Sequence, residues 1–296
     1  MKKTCTHIIK MQLSLMIFGA ILTLASCGEV YDLNGFDWEP DVPPSDSVFN
    51  REIQILNLGD NMPTGHKPVD SQDPIFFSLE KFSSVATAYR ATERWDITFS
   101  GTARSAVMGN NGSQSGFGYG SSGIGGIVVL EGFYDDITDV PEDHLFKKPG
   151  YAGLDDQGHF GEPMGHVVYT FFGNFIRESL GGEQQEPAIG SYWHMVYGLN
   201  KDLMEAFPNA KSLDGKPLKP RTIIVKTAAG NYAKIETQSF YKDILDPLKM
   251  MRHPDITSAI SFRYMVIKAD EKRFGFVERR KKLTVNMSSR RTTVLP

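Results

Sequence analysis

Cysteine is almost missing from this chain. Among 296 residues only Cys5 and Cys27 carry a thiol, and both lie in the first 27 positions. The body of the protein therefore has no disulfide scaffold, zinc ribbon, thiolate-held iron–sulfur cluster or cysteine nucleophile. Other chemical signatures are missing too. There is no H-E-x-x-H, no G-x-S-x-G and no Gly-Lys-Ser/Thr, which removes the sequence grounds for a zincin helix, a hydrolase elbow or a P-loop. No internal repeat is visible. At 41% hydrophobic and 23% charged residues, the chain has the composition of an ordinary folded protein. Aromatics are not scarce: 11% of the chain is Phe, Trp or Tyr.

The placement of Cys27 has a positive meaning. Lys2, Lys3 and Lys10 are followed by an uncharged stretch from Met11 to Gly28, with the apolar run Leu13 to Leu24 inside it. Leu24-Ala25-Ser26-Cys27 then resembles the cleavage site of a bacterial lipoprotein signal. On this reading residues 1–26 are a leader, and the sulfur of Cys27 receives lipid. The competing reading is a membrane-spanning helix. Eighteen residues are marginal for a span, and Gln12, Ser14, Thr23 and Ser26 weaken it.

Removing the three lysines of the leader takes the net charge from −3 to −6. Residues 268–296 hold nine basic and three acidic side chains, so residues 27–267 carry −12. An acidic body disfavours nucleic acid as a partner. Residues 27–50 read as a tether with six acids, no Lys or Arg, and Pro40, Pro43 and Pro44. Like charges and prolines extend such a segment. It is either a solvated spacer or the acidic export signal of surface-exposed lipoproteins. Asp46-Ser47-Val48 also matches a bacterial O-glycosylation triplet.

From residue 51 onward the patterns are mostly strands. Glu52–Leu58, Ile75–Phe82, Arg94–Ser100, Ile127–Leu130, His166–Phe172, Tyr192–Tyr197, Thr222–Thr227, Asn231–Gln238 and Thr257–Ile267 are short and rich in β-branched and aromatic residues. In Trp95-Asp96-Ile97-Thr98-Phe99 strict alternation puts Trp95, Ile97 and Phe99 on one face. Lys201–Phe207 predicts a short helix, and Lys242–Met251 a weaker helical piece broken by Pro247. Pro141 to Pro163 reads as loop. These elements predict an all-β fold, an antiparallel sandwich or open barrel with long loops and few short helices, over residues 51–275. Residues 276–296 read as a disordered basic tail.

Gly109 to Gly126 contains eight glycines in eighteen residues and no charge. Its Gly118-Tyr119-Gly120-Ser121-Ser122-Gly123 is a formal G-x-G-x-x-G, but strand-like Ile127-Val128-Val129 follows where a dinucleotide site needs a helix. A flexible loop, or a chain crossing close to another backbone, explains the glycines better. After the leader six histidines remain, His66, His144, His159, His166, His194 and His253, with no tight metal-binding spacing among them. Nothing in this set constrains an active site, and the chain reads as non-enzymatic.

The lipobox, Trp95-Asp96-Ile97-Thr98-Phe99, Asn111-Gly112, Gly125-Gly126, Ile223-Ile224-Val225-Lys226, Gly230-Asn231-Tyr232-Ala233-Lys234-Ile235 and Ile260-Ser261-Phe262-Arg263-Tyr264, in this order, resemble the HmuY-like family of bacterial haem-binding lipoproteins. The resemblance covers about residues 75–267, with apparent insertions near 135–163 and 199–220. It implies an all-β protein on the outer membrane that takes haem from host haemoproteins and passes it to an outer-membrane haem transporter. It also implies two axial ligands, His or Met, on neighbouring strands. Gly165-His166, followed by Tyr169, matches the surroundings of the first ligand, and the place of the second falls on Tyr197, before Gly198. Tyr197 departs from the family's His-or-Met pattern. Strand parity would put Trp193, Met195 and Tyr197 on one face, and Tyr192, His194 and Val196 on the other. The candidate iron ligands are thus His166 with Tyr197 or Met195, and Met164 in reserve. The alternative is that His166 is a hydrogen-bonded strand residue and Tyr197 and Met195 are core. The scaffold would then bind a glycan, a protein or another small apolar ligand without iron.

Overall fold

The computed structural model describes residues 48–60, 73–101, 103–146, 151–152, 161–162, 165–170, 173, 191–212, 215–252, 256–275, 280–288 and 292–295. The leader, Cys27, the tether up to residue 47 and Met164 lie outside these residues.

The architecture is all-β. In chain order the strands are β1 (Arg51–Leu58), β2 (Ile75–Ser78), β3 (Ser83–Val85), β4 (Ile97–Ser100), β5 (Ala106–Gly109), β6 (Gly126–Glu131), β7 (Tyr151–Ala152), β8 (Gly161–Glu162), β9 (Val167–Tyr169), β10 (Val196–Gly198), β11 (Arg221–Lys226), β12 (Tyr232–Tyr241), β13 (Ser258–Ile267), β14 (Arg280–Asn286) and β15 (Thr293–Leu295). The α-helix among the described residues is α1 (Lys201–Ala206), whose first turn is capped by the Asn200 side chain accepting from Leu203 N–H. A seven-stranded sheet runs β15-β14-β1-β13-β12-β11-β6, a six-stranded sheet runs β3-β2-β4-β5-β7-β8, and β9 pairs with β10 alone.

The two large sheets face each other across an aromatic core. Registers Ile53↔Tyr264, Ile55↔Phe262 and Ile235↔Tyr264 place these side chains on one face of the seven-stranded sheet. Phe77 and Phe99 of the second sheet meet Phe262 at ring distances of 5.5 and 5.2 Å. Burying each such ring contributes roughly 2–3 kcal/mol by area. The outer face of the larger sheet is covered in part. Phe146, Tyr232, Ile224, Ile267 and Phe274 form a second, smaller cluster there. Lys234 is buried in this layer, donating to the carbonyls of Tyr134 and Ile137 with its ammonium 4.3 Å from the Tyr134 ring.

Four local expectations are corrected. Residues 276–296 are not a disordered tail throughout: β14 adds to the main sheet parallel to β1, through Ile53↔Leu283 and Ile55↔Val285, and β15 adds to β14. Apolar Leu283 and Val285 alternate with polar neighbours, a period-2 signal masked by the basic run around them. Trp95 does not share a face with Ile97 and Phe99. The strand starts only at Ile97, and Trp95 packs edge-on against Phe76, 5.1 Å away, on the side opposite Phe77. The helical piece at 242–251 shrinks to one 3-10 turn, Pro247–Lys249. Finally, the 141–163 loop contains a 3-10 turn at Asp143–Phe146 and the short strands β7 and β8.

Candidate functional site

The residues singled out by sequence converge on the β9–β10 pair. Val167 pairs with Gly198, Val168 with Tyr197 and Tyr169 with Val196. This pair lies against β12: a Cβ on Gly198 would sit 2.2 Å from the Thr237 carbonyl oxygen. Only glycine permits that approach. Asn200 Nδ2 donates to the same carbonyl at 2.8 Å.

His166 is 2% exposed. Its Nε2 is 2.6 Å from the Ser105 carbonyl oxygen, and its Nδ1 is 3.1 Å from Thr237 Oγ1. A carbonyl can only accept, so Nε2 carries the proton, and Nδ1 accepts from the threonine hydroxyl. Burial pushes the imidazole pKa down to about 4, and the Ser105 bond only partly opposes this. The ring is neutral at neutral pH, with one nitrogen protonated and the other already accepting. An iron ligand needs an imidazole lone pair. These contacts fit a cross-link between the turn before β5 and β12, and they do not fit an axial ligand.

The other candidates are also committed to the core. Tyr197 is buried, its hydroxyl donates to the Met250 carbonyl at 2.5 Å, and its ring packs edge-on to Phe207. Desolvation holds its phenol far above the usual range, so phenolate character is suppressed. The Met195 sulfur lies 3.9 Å from the Tyr241 hydroxyl, and its backbone N–H donates to Thr170 Oγ1. His166, Met195 and Tyr197 are thus brought to one small sheet, but each is held by different neighbours. Met164 cannot be placed, because it lies outside the described residues.

Strand parity does not extend through Trp193, because residues 191–194 form turns and β10 begins at Val196. His194 has φ +59°, a left-handed conformation that a non-glycine residue adopts at some cost. It is half-buried, and its Nδ1 is 2.7 Å from the Tyr169 hydroxyl. Alternation put Tyr192 on the face opposite Tyr197, yet both rings pack edge-on against Phe207, and no sequence signal marks a positive φ at histidine. Of the remaining histidines, His144 lies at the surface 2.9 Å from Glu142, while His66, His159 and His253 fall outside the described residues. Among the described residues no three His, Cys, Asp or Glu side chains converge to hold a metal ion, and no helix is long and apolar enough to cross a membrane.

The glycine-rich segment forms the other prominent feature. β5 and β6 cross where a Cβ on Gly109 would lie 2.7 Å from the Gly126 backbone. The close-crossing explanation of these glycines is the one observed, and a strand, not a helix, follows. Between the crossing strands the loop folds onto Asn110. The Nδ2 of this buried side chain donates to the carbonyls of Thr92 and Trp95, and its Oδ1 accepts from Ser121 Oγ. Its main-chain carbonyl accepts from Gly125. Phe117 anchors the loop on Phe76 at 5.5 Å. Tyr119 and Ile124 instead point outward, 68% and 55% exposed. Comparison of the chain with protein-family models and with curated proteins returned no match.

Proposed function

We propose that this chain is a lipid-anchored, non-enzymatic binding protein of the HmuY-like kind, displayed on the outer membrane, whose sandwich is an interaction scaffold and not an iron site built on His166. One observation carries this reading: both nitrogens of His166, the residue that matches the family's first ligand, are engaged inside the core by Ser105 and Thr237. The engaged hydroxyl of Tyr197 and the burial of Met195 support it. The lipobox at Leu24–Cys27 and the acidic tether support the placement at the cell surface. Transfer of haem from host haemoproteins to an outer-membrane transporter belongs to the competing reading.

Haemin titration tests the proposal. The full chain in detergent is mixed with haemin and its Soret band recorded in both oxidation states, beside His166→Ala and His194→Ala. The expected result is no shifted band that depends on His166. A band present in the wild type and lost in His166→Ala overturns the proposal. A band kept in His166→Ala and lost in His194→Ala restores haem capture, with the Tyr169–His194 pair as its site.

A further inference from the structure

The segment between β5 and β6 is built as recognition loops are built, and its chemistry selects a partner. We infer that Asn110–Gly125 is a preformed site for a neutral carbohydrate, with the Tyr119 ring as stacking platform and Ile124, Ser113, Ser115 and Ser122 as the other exposed side chains of the same loop. This inference rests on the reading of the chain as a non-enzymatic surface binding protein, and it names the ligand class.

The first argument is preorganisation. Gly112 donates to the Gly123 carbonyl and accepts from Gly120 N–H, which ties the two ends of the Tyr119–Ile124 stretch to one residue. A Cβ on Gly112 would lie 1.7 Å from the Ser121 carbonyl oxygen, and one on Gly118 would lie 2.2 Å from Asn110 Oδ1. The glycines therefore compact the loop. Asn111 closes it further, donating through Nδ2 to the Gly125 carbonyl and accepting from the backbone and hydroxyl of Ser113. A loop already ordered in the free protein loses little entropy on binding.

The second argument is composition. Tyr, Ser, Gly and Asn dominate the segment, a set that supplies a rigid amphipathic ring together with adaptable hydrogen-bonding groups. A folded loop normally buries its aromatics. Here Phe117 does so against Phe76, while Tyr119, two residues later, is 68% exposed. The flat ring of Tyr offers a face to the C–H surface of a sugar, and the exposed serine hydroxyls of the same loop are the groups that pair with sugar hydroxyls.

The third argument is exclusion. Residues 109–126 hold no charged side chain, and Glu93 accepts from Ser122 Oγ at the loop's edge. The loop itself offers an anionic ligand no cation, and residues 27–267 as a whole carry −12. A stable protein partner needs roughly 800 Å² on each side with an apolar centre. Two outward apolar side chains separated by glycines and serines do not provide that. They are also too few to insert into lipid.

The test uses an array of neutral and acidic glycans probed with the full chain in a polyoxyethylene detergent. The wild type should bind one or more uncharged glycans and keep binding in molar salt. Tyr119→Ala should weaken this by about ten-fold or more, a typical loss for an aromatic anchor. Tyr119→Phe, which keeps the ring, should stay within about three-fold of wild type. Thermal melting of each variant guards against misfolding, and the exposure of Tyr119 predicts unchanged melting. Binding to no neutral glycan, binding only to acidic ones, or wild-type affinity in Tyr119→Ala overturns the inference. Its failure is separable from that of the scaffold reading, which is decided by haemin and His166.

Discussion

His166 and Asp96 are buried titratable groups whose shifts oppose each other. The pKa of His166 is lowered from 6.5 to about 4, first by burial. The folded state therefore holds its proton less tightly than the unfolded chain. Its stabilising contribution is complete above pH 6.5 and is lost as pH falls toward 4, by roughly 3 kcal/mol. Asp96 moves the other way, from 3.8 to about 6, through burial first and the charge of Glu80 second. Its four donors, Ser78 Oγ and the backbone N–H groups of Leu79, Glu80 and Ala228, only partly offset this. Folding binds that proton more tightly, so stability is gained as pH falls from about 6 to about 4, again by roughly 3 kcal/mol. The two slopes nearly cancel. Urea midpoints from pH 7 to 4 should expose the balance in the variants. Relative to wild type, His166→Gln should gain stability as pH falls and Asp96→Asn should lose it. Parallel curves for wild type and both variants would reject the assignment. Asp96→Asn is also less stable at every pH, because its amide N–H₂ faces donors.

At the scale of elements, the C-terminal strands and the glycine loop make separate predictions. Val285 of β14 is fully buried against the β1 side of the core. Truncation after Arg279 would expose that apolar surface and leave β1 as a bare edge. The expected cost is about 2–4 kcal/mol, with aggregation visible by light scattering. A truncated chain as stable and as monodisperse as the full chain would show that β14 is dispensable. Gly112→Ala acts locally instead. Its Cβ cannot coexist with the Ser121 carbonyl, so the loop must open, while the β11–β12 hairpin keeps its hydrogen bonds. Hydrogen exchange should show lost protection at Gly120 and Gly125 and unchanged protection at Ile223–Lys226.

The same elements show what a sequence can reveal. The strands Thr222–Thr227 and Asn231–Gln238, the last long strand and α1 were legible, because runs of β-branched and aromatic residues and short-range alternation are local signals. The candidate site was legible only as a neighbourhood. His166, Met195 and Tyr197 do meet on β9–β10 or immediately beside it. What each binds depends on Ser105, Thr237, Tyr241 and Met250, which are 46 to 71 residues away in sequence. The turn at 191–194 defeated parity at Tyr192, which packs on Phe207 together with Tyr197. Trp95 was misassigned for a related reason: alternation was extended two residues past the start of β4.

For the whole molecule, the near absence of cysteine makes the proposed anchor testable without ambiguity. Each buried acyl methylene contributes about 0.8 kcal/mol, so several chains on one sulfur hold a folded domain durably at a membrane. With no thiol beyond position 27, any thioether-linked lipid on the mature protein depends on Cys27 alone. Cells fed an alkyne fatty acid should label the wild-type chain, and Cys27→Ser should lose the label and retain residues 1–26 by intact mass. Cys5→Ser should label and be cleaved like wild type, since on this proposal Cys5 leaves with the leader. Equal labelling of wild type and Cys27→Ser would sink the lipoprotein reading. Loss of label in Cys5→Ser alone would move the modified thiol to the wrong side of the cleavage site. The acidic tether adds a second readout. If it directs export, replacing Asp37, Glu39 and Asp41 with Asn should protect the labelled protein from protease added to intact cells, whereas a solvated spacer predicts no change in cleavage.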